Sequence, residues 1–310
     1  WIDCFTAPCK GGCPIAQDIP EYMELCNKGL YGPALKLITE KNPLPFITGT
    51  ICAHRCQTKC SRNFYDESVR IRDTKLLAAQ KGYNALMASI KRPAKVAGKR
   101  VAIIGGGPTG IAAAYFCGRA GIETTIFERE SCLGGVPRHV IPAFRIANEV
   151  IEKDIALMEQ YGVEVKCGAP APSVDELKKM GYTHILLAVG AWKPGKLDIA
   201  GDVAGAIQWM KGVKAGNIGV AGNIAVIGGG NTAMDAARLA KRSGAEHVTL
   251  VYRRTRKYMP ADEHELALAL ADGVTFAELA APVKQADGVL TCEKMVLGEA
   301  DASGRRSPVG

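Results

Sequence analysis

The chain has 310 residues, 47% hydrophobic and 23% charged, an ordinary globular composition with enough length for two or three domains. No apolar run approaches the roughly 18 residues of a membrane span and no signal peptide opens the chain, so the expectation is a cytoplasmic protein without a membrane span. Of the net charge of +8, residues 1–95 carry +6, scattered rather than striped and without a nucleic-acid motif; this argues against nucleic acid and leaves a solvated basic surface, an anionic cofactor or an acidic partner.

Six of the eleven cysteines fall early, at Cys4, Cys9, Cys13, Cys52, Cys56 and Cys60. A disulfide scaffold would be short and secreted, so metal or redox chemistry is the better reading. Cys117, Cys132, Cys167 and Cys292 stand alone and read as ordinary thiols, as does Cys26. Residues 14–95 read as helical, with Asp18 capping Ile19–Leu30, then Pro33–Lys41, a stop at Asn42-Pro43-Leu44-Pro45, and Thr74–Ile90. Pro93 and Gly98 mark a linker.

From Lys99 strands and helices alternate, the pattern of a parallel sheet. Strand Val101–Ile104, helix Thr109–Ala120 and strand Glu123–Phe127 are followed later by the same order at Ile224–Ile227, Thr232–Ser243 and His247–Tyr252. Matching glycines lie 123 residues apart, so one fold is used twice, not a solenoid repeat.

The first glycine loop, Gly105-Gly106-Gly107-Pro108-Thr109-Gly110, fits the dinucleotide fingerprint, and Glu128 ends the next strand where a carboxylate would accept from ribose hydroxyls. Leu133-Gly134-Gly135 follows it, and the apolar strand Thr183–Gly190 ends in small residues that let backbone approach a cofactor. In the second loop, Gly228-Gly229-Gly230-Asn231-Thr232-Ala233, the following strand runs into Arg253-Arg254 instead of a carboxylate. Guanidinium groups pair with the 2′-phosphate of NADP. One site therefore suits FAD or NAD and the other NADPH. Met259–His264 reads as a helix start with Glu263 and His264 solvated, and no catalytic acid, base or nucleophile is expected, since the cofactors supply hydride chemistry.

Taken in order, Cys-x4-Cys-x3-Cys-Pro, Cys-x3-Cys-x3-Cys, the first glycine loop with Glu128, Gly134-Gly135 with Ile141-Pro142, and Gly-Gly-Gly-Asn-Thr-Ala-Met-Asp with Arg253-Arg254 and Met259-Pro260 resemble one family over essentially the whole chain. It is that of the glutamate synthase small subunit and the amino-terminal half of dihydropyrimidine dehydrogenase, and within it the chain looks most similar to selenate reductase subunits. The resemblance implies FAD at Gly105, Gly107, Pro108, Gly110, Glu128, Arg129, Gly134, Gly135 and Gly190, and NADPH at Gly228, Gly230, Asn231, Thr232, Arg253 and Arg254. It implies two [4Fe–4S] clusters, one on Cys4, Cys9 and Cys60 and one on Cys13, Cys52 and Cys56, passing electrons to an accepting domain or subunit.

Three departures stand out. Trp1 falls where the leading cysteine would be, Lys75 falls where relatives carry a Glu or Gln ligand, and a carboxyl-terminal FAD segment would lie beyond Gly310. The fourth ligand of each cluster then falls to Cys26, His54, solvent or a neighbouring domain. The cysteine intervals of four and three favour iron–sulfur while leaving zinc or free thiols open.

The resulting expectation is an α/β protein: a helical cysteine-rich iron–sulfur segment over residues 1–95, an FAD-type Rossmann domain over 96–195, and an inserted NADPH-type Rossmann domain over 196–310. Trp1 at the start and the Ser-, Gly- and Arg-rich run Asp301–Gly310 at the end read as the ends of a piece of a longer polypeptide. The expected function is NADPH oxidation through flavin and clusters. The alternatives are the input module of a pyrimidine-reducing enzyme and a non-catalytic assembly subunit without clusters.

Overall fold

The computed structural model describes residues 7–193, 195, 197–302 and 306–310; Trp1 and the candidate ligand Cys4 lie outside the described residues. The chain divides into two compact units, residues 1–138 with 143–190, and residues 139–142 with 191–310.

The first unit opens with helices α1 (Pro8–Gly12), α2 (Ile19–Asn27), α3 (Tyr31–Lys41), α4 (Pro45–Ile51), α5 (Arg55–Thr58) and α6 (Ile71–Ser89), with a short 3-10 turn at Ser61–Phe64. Ile19, Tyr22, Cys26, Ala34, Ile38, Cys56, Ile71 and Ala78 form their core. α6 buries Ile71, Lys75, Ala78, Ala79, Gly82 and Leu86, a helical stripe with one lysine inside it. A methyl group on Gly82 would lie 2.4 Å from the Tyr31 carbonyl oxygen, so α3 and α6 touch at a glycine.

Two helix starts differ from the sequence reading. Asp18 stands at the N-cap of α2 but makes no capping bond. Its carboxylate instead pairs with Lys10 and Lys41, whose hydrogen bonds hold it below the usual range. α4 starts from Leu44, which has no side-chain acceptor. Asp154, 108 residues beyond Phe46, supplies that function: its two carboxyl oxygens accept from the amides of Phe46 (3.0 Å) and Ile47 (2.7 Å).

The unit continues through β1 (Arg100–Ile104), α7 (Pro108–Arg119), β2 (Glu123–Glu128), α8 (Gly135–His139), α9 (Asn148–Glu159), β3 (Glu164–Cys167), α10 (Val174–Lys179) and β4 (His184–Leu187). All four strands are parallel in the order β3-β2-β1-β4, with Arg100 opposite Glu123 and Val101 opposite His184. β4 forms one edge and exposes Leu187. β1, β2 and the helices beside them are nearly as expected; β3 and α10 fall in stretches too polar to show a strand or helix period.

The second unit holds α11 (Ala206–Lys214), β5 (Asn223–Ile227), α12 (Asn231–Arg242), β6 (His247–Tyr252), α13 (Glu263–Ala271) and β7 (Thr275–Glu278). β5, β6 and β7 form a parallel sheet in sequence order. Its core is Met234, Ala237, Ala240, Val248, Leu250, Leu266 and Ala269 with their neighbours. Two antiparallel pairs follow, β8 (Ala280–Ala286) with β9 (Val289–Lys294), and β10 (Val296–Ala300) with β11 (Arg306–Val309). At the end of the chain, Val309 of β11 pairs with Val296 of β10. Both sheets are the parallel α/β kind expected. Among the described residues no helix is long and apolar enough to cross a membrane.

Candidate functional site

The first glycine loop joins β1 to α7. Gly105 takes a left-handed φ of +108°, and a methyl group there would lie 2.4 Å from the Ala188 carbonyl oxygen. Gly107 is the N-cap of α7 and Pro108 its first residue, which leaves the free amides of the first turn facing outward from the strand end. A methyl on Gly110 would lie 1.9 Å from the Gly105 carbonyl oxygen.

Glu128 is buried at the end of β2. The Gly106 amide donates to its Oε2 (2.5 Å) and the Glu130 amide to its Oε1 (2.9 Å). A carboxylate offers about four acceptor positions, so both oxygens keep capacity for further donors. The Gly134 amide donates to the Gly106 carbonyl (2.8 Å), and a methyl on Gly135 would lie 2.7 Å from the Gly107 Cα. Gly190, φ +72°, closes the stretch after β4 that begins with Ala188. The loop, Glu128, Gly134-Gly135 and the end of β4 thus converge at the carboxyl ends of the parallel strands, where open α/β sheets form ligand crevices. Arg129 is exposed and its guanidinium lies 3.6 Å from Glu130.

One consequence is testable on stability alone. Gly110→Ala should lower the free energy of unfolding by roughly 1–3 kcal/mol, because helix and loop must separate to admit the methyl group. Urea denaturation followed by circular dichroism measures it.

The second loop repeats the geometry. Gly228 has φ +137°, and its amide donates to the Val251 carbonyl (3.0 Å). Gly230 is the N-cap of α12, and a Cβ added there meets nothing within 4 Å. Asn231 and Thr232 are exposed at the helix start. The Met259–Asp262 segment folds back onto this loop: the Ala261 amide donates to the Gly229 carbonyl (3.0 Å), and that of Asp262 reaches Asn231 Oδ1 (3.4 Å). Asp262 also caps α13, leaving Glu263 and His264 exposed as expected.

The arginines after β6 are not equivalent. Arg256 pairs with Glu263 (3.1 Å). Arg253 is exposed, while Arg254 is half-buried with its Nε sequestered and without a hydrogen-bond partner. That orphaned donor fits an absent anion.

In the helical segment, Cys9 lies in α1 and Cys13 directly follows it; Cys52 follows α4, Cys56 lies in α5 and Cys60 directly precedes the Ser61–Phe64 turn. No disulfide joins the described cysteines. Cys9 and Cys13 pack against the core that holds Cys26 and Cys56, and burial raises the Cys56 thiol to about 11. The His54 ring nitrogen Nδ1 lies 3.2 Å from the Cys52 carbonyl oxygen. No group of three or more His, Cys, Asp or Glu among the described residues converges as a single-ion site.

Lys75 is 4% exposed on the same face of α6 as Ile71 and Ala78; burial pushes its ammonium below the usual range, Cys52, Cys56 and Cys13 beside it pull the other way, and Arg72 adds to the lowering. A buried cation beside three thiols fits an anionic group there. Its sequence position was visible; its burial was not. Asp154 was missed altogether, although a lone carboxylate among Ile151, Ile155 and Met158 on one helical face is a readable signal.

Comparison with known proteins finds two family matches. Residues 99–291 match the pyridine nucleotide-disulphide oxidoreductase family, and residues 1–85 match dihydropyrimidine dehydrogenase domain II, 4Fe-4S cluster. The oxidoreductase YgfK of Escherichia coli (strain K12) is 43% identical over 99% of the chain, which spans 30% of that relative's length. The glutamate synthase [NADPH] small chain of Azospirillum brasilense is 30% identical over 98% of the chain and 69% of its own length. The structure of Mycobacterium tuberculosis FprA in complex with NADPH superposes with a TM-score of 0.55 at 17% identity, covering 68% of this chain and 66% of that one, a likeness of fold.

Proposed function

Because the chain belongs to the pyridine nucleotide-disulphide oxidoreductase family, we propose that it is the electron-input module of an NADPH-dependent flavin oxidoreductase that feeds iron–sulfur clusters and, through them, a partner domain or subunit. The observation that carries this reading is the pair of glycine loops on parallel sheets, one backed by buried Glu128 and the other by the orphaned Arg254 Nε. The NADPH in the name of the glutamate synthase relative supports the choice of nicotinamide. Within this reading residues 1–95 form the cluster segment, 96–195 the flavin-binding domain and 196–310 the nicotinamide-binding domain.

When bound, the nicotinamide, flavin and clusters supply hydride and one-electron transfer. The chain's own residues bind and orient. The first-turn amides of α7, which follow Gly107 at the N-cap and Pro108 at the first position, are open to a pyrophosphate, Gly105 and Gly135 keep side chains out of its way, and Glu128 accepts from ribose hydroxyls while holding the loop through Gly106. Gly230, Asn231 and Thr232 do the same at α12, and Arg253 and Arg254 take the 2′-phosphate. Cys4, Cys9 and Cys60 would ligate one cluster, and Cys13, Cys52 and Cys56 the other.

The test is anaerobic NADPH oxidation with an artificial one-electron acceptor, with flavin and iron counted on the same preparation. The expected result is acceptor reduction that requires bound flavin. An assembly subunit without redox activity would reduce nothing.

A further inference from the structure

Lysine is almost never fully buried unless it is paired, and Lys75 is 4% exposed. Ile71 and Ala78, one helical turn before it and one after, belong to the core that contains Cys26 and Cys56 and against which Cys9 and Cys13 pack. Lys75 therefore points into the cysteine-lined core and not along the helix surface. Asp154, the nearby buried carboxyl that also feels this charge, accepts one amide on each oxygen, from Phe46 and Ile47, and burial pushes it towards its neutral form, so it is a poor counter-anion. The other titratable groups that act on Lys75 are Cys52, Cys56 and Cys13, and Arg72, whose charge has the same sign. An ammonium left in such a place is costly to bury without an anion beside it, and a thiolate-bound iron–sulfur cluster is an anion.

We propose that Lys75 is the fixed counter-cation of the cluster held by Cys13, Cys52 and Cys56, and that its charge raises the reduction potential of that cluster. The inference rests on the iron–sulfur reading above and adds which residue tunes the cluster. Adding an electron makes the cluster more negative, so a fixed positive charge stabilises the reduced form more than the oxidised one. Lys75 acts through space and ligates nothing; it is a positioning and tuning residue.

The experiment compares the anaerobically purified protein with its Lys75→Met and Lys75→Arg variants. Met fills similar apolar volume without charge, and Arg keeps the charge. Iron per chain is counted, and cluster potentials are followed by redox titration with electron paramagnetic resonance. In Lys75→Met one cluster signal should move to lower potential, with at least a tenfold fall in its reduced-to-oxidised ratio, about 59 mV for a one-electron couple. Lys75→Arg should stay near wild type. Loss of iron from Lys75→Met alone, with Lys75→Arg fully loaded, expresses the same need for charge and supports the proposal. Full iron with unmoved potentials in Lys75→Met overturns it, as does equal change in both variants. A wild-type protein that takes up no iron overturns the cluster reading itself, and this inference with it.

Discussion

Replacing Arg253 and Arg254 together by alanine should erase the preference for NADPH over NADH, with NADPH affinity falling roughly ten- to a hundredfold and NADH affinity nearly unchanged. A charge-assisted hydrogen bond contributes about 1.5–3 kcal/mol, and each 1.4 kcal/mol is about tenfold in binding. The two arginines are expected to contribute unequally. Arg253 is exposed, so water screens its pairing with a phosphate. Arg254 keeps a sequestered Nε that no protein group satisfies, so an arriving phosphate gains a bond without displacing one. Arg254→Ala alone should therefore cost more than Arg253→Ala. Arg256, already paired with Glu263, should matter little to either nucleotide. Titration of each variant with NADPH and NADH, followed by calorimetry, separates these outcomes. A double variant that keeps the full preference would remove the assignment of the second loop.

Asp154→Ala should destabilise the first unit by roughly 2–6 kcal/mol, since it strands two buried amide donors at the start of α4, each worth about 1–3 kcal/mol when unsatisfied. The same helix ends at Cys52, so the loss should also loosen the segment that carries Cys52 and Cys56. Asp154→Asn keeps one acceptor and should cost less than half as much. Burial raises the Asp154 carboxyl from 3.8 to about 8, against the pull of the two amides and Lys75. An unfolded chain releases this proton at the ordinary carboxylate value while the folded chain retains it. The stabilisation from this group is thus complete below about pH 4 and is lost as pH rises towards about 8. Urea unfolding of wild type and Asp154→Asn at about pH 5 and about pH 8 measures it. Relative to the variant, wild type should be weaker at the higher pH.

Much of the site was legible because its signals are local. A β-branched strand, three glycines, a helix and a carboxylate or an arginine pair lie within about thirty residues of one another, and each residue type answers a steric or electrostatic need of that short stretch. Gly105 must take φ +108° and Gly110 must admit a carbonyl oxygen, and both needs follow from the turn itself. The helices α3 and α6 were legible for a similar reason, since their apolar spacing repeats over several turns.

What the linear order could not settle are pairings between distant residues and the burial of charge. From sequence Asp18 reads as a cap, yet folding brings Lys10 and Lys41 to it and capping loses to two ion pairs. Leu44 starts a helix with no acceptor of its own, and the missing one arrives from Asp154 on another helix. The strand β11 needs Val296 opposite Val309 before its polar residues take an extended form. Lys75 stands out in sequence as a departure at a ligand position, but only packing against the cysteine-lined core makes it a buried cation. Sequence determined the two dinucleotide folds because their turns are encoded within the turns themselves. Tertiary structure decided which charges lost their water, because desolvation depends on what the rest of the chain brings alongside.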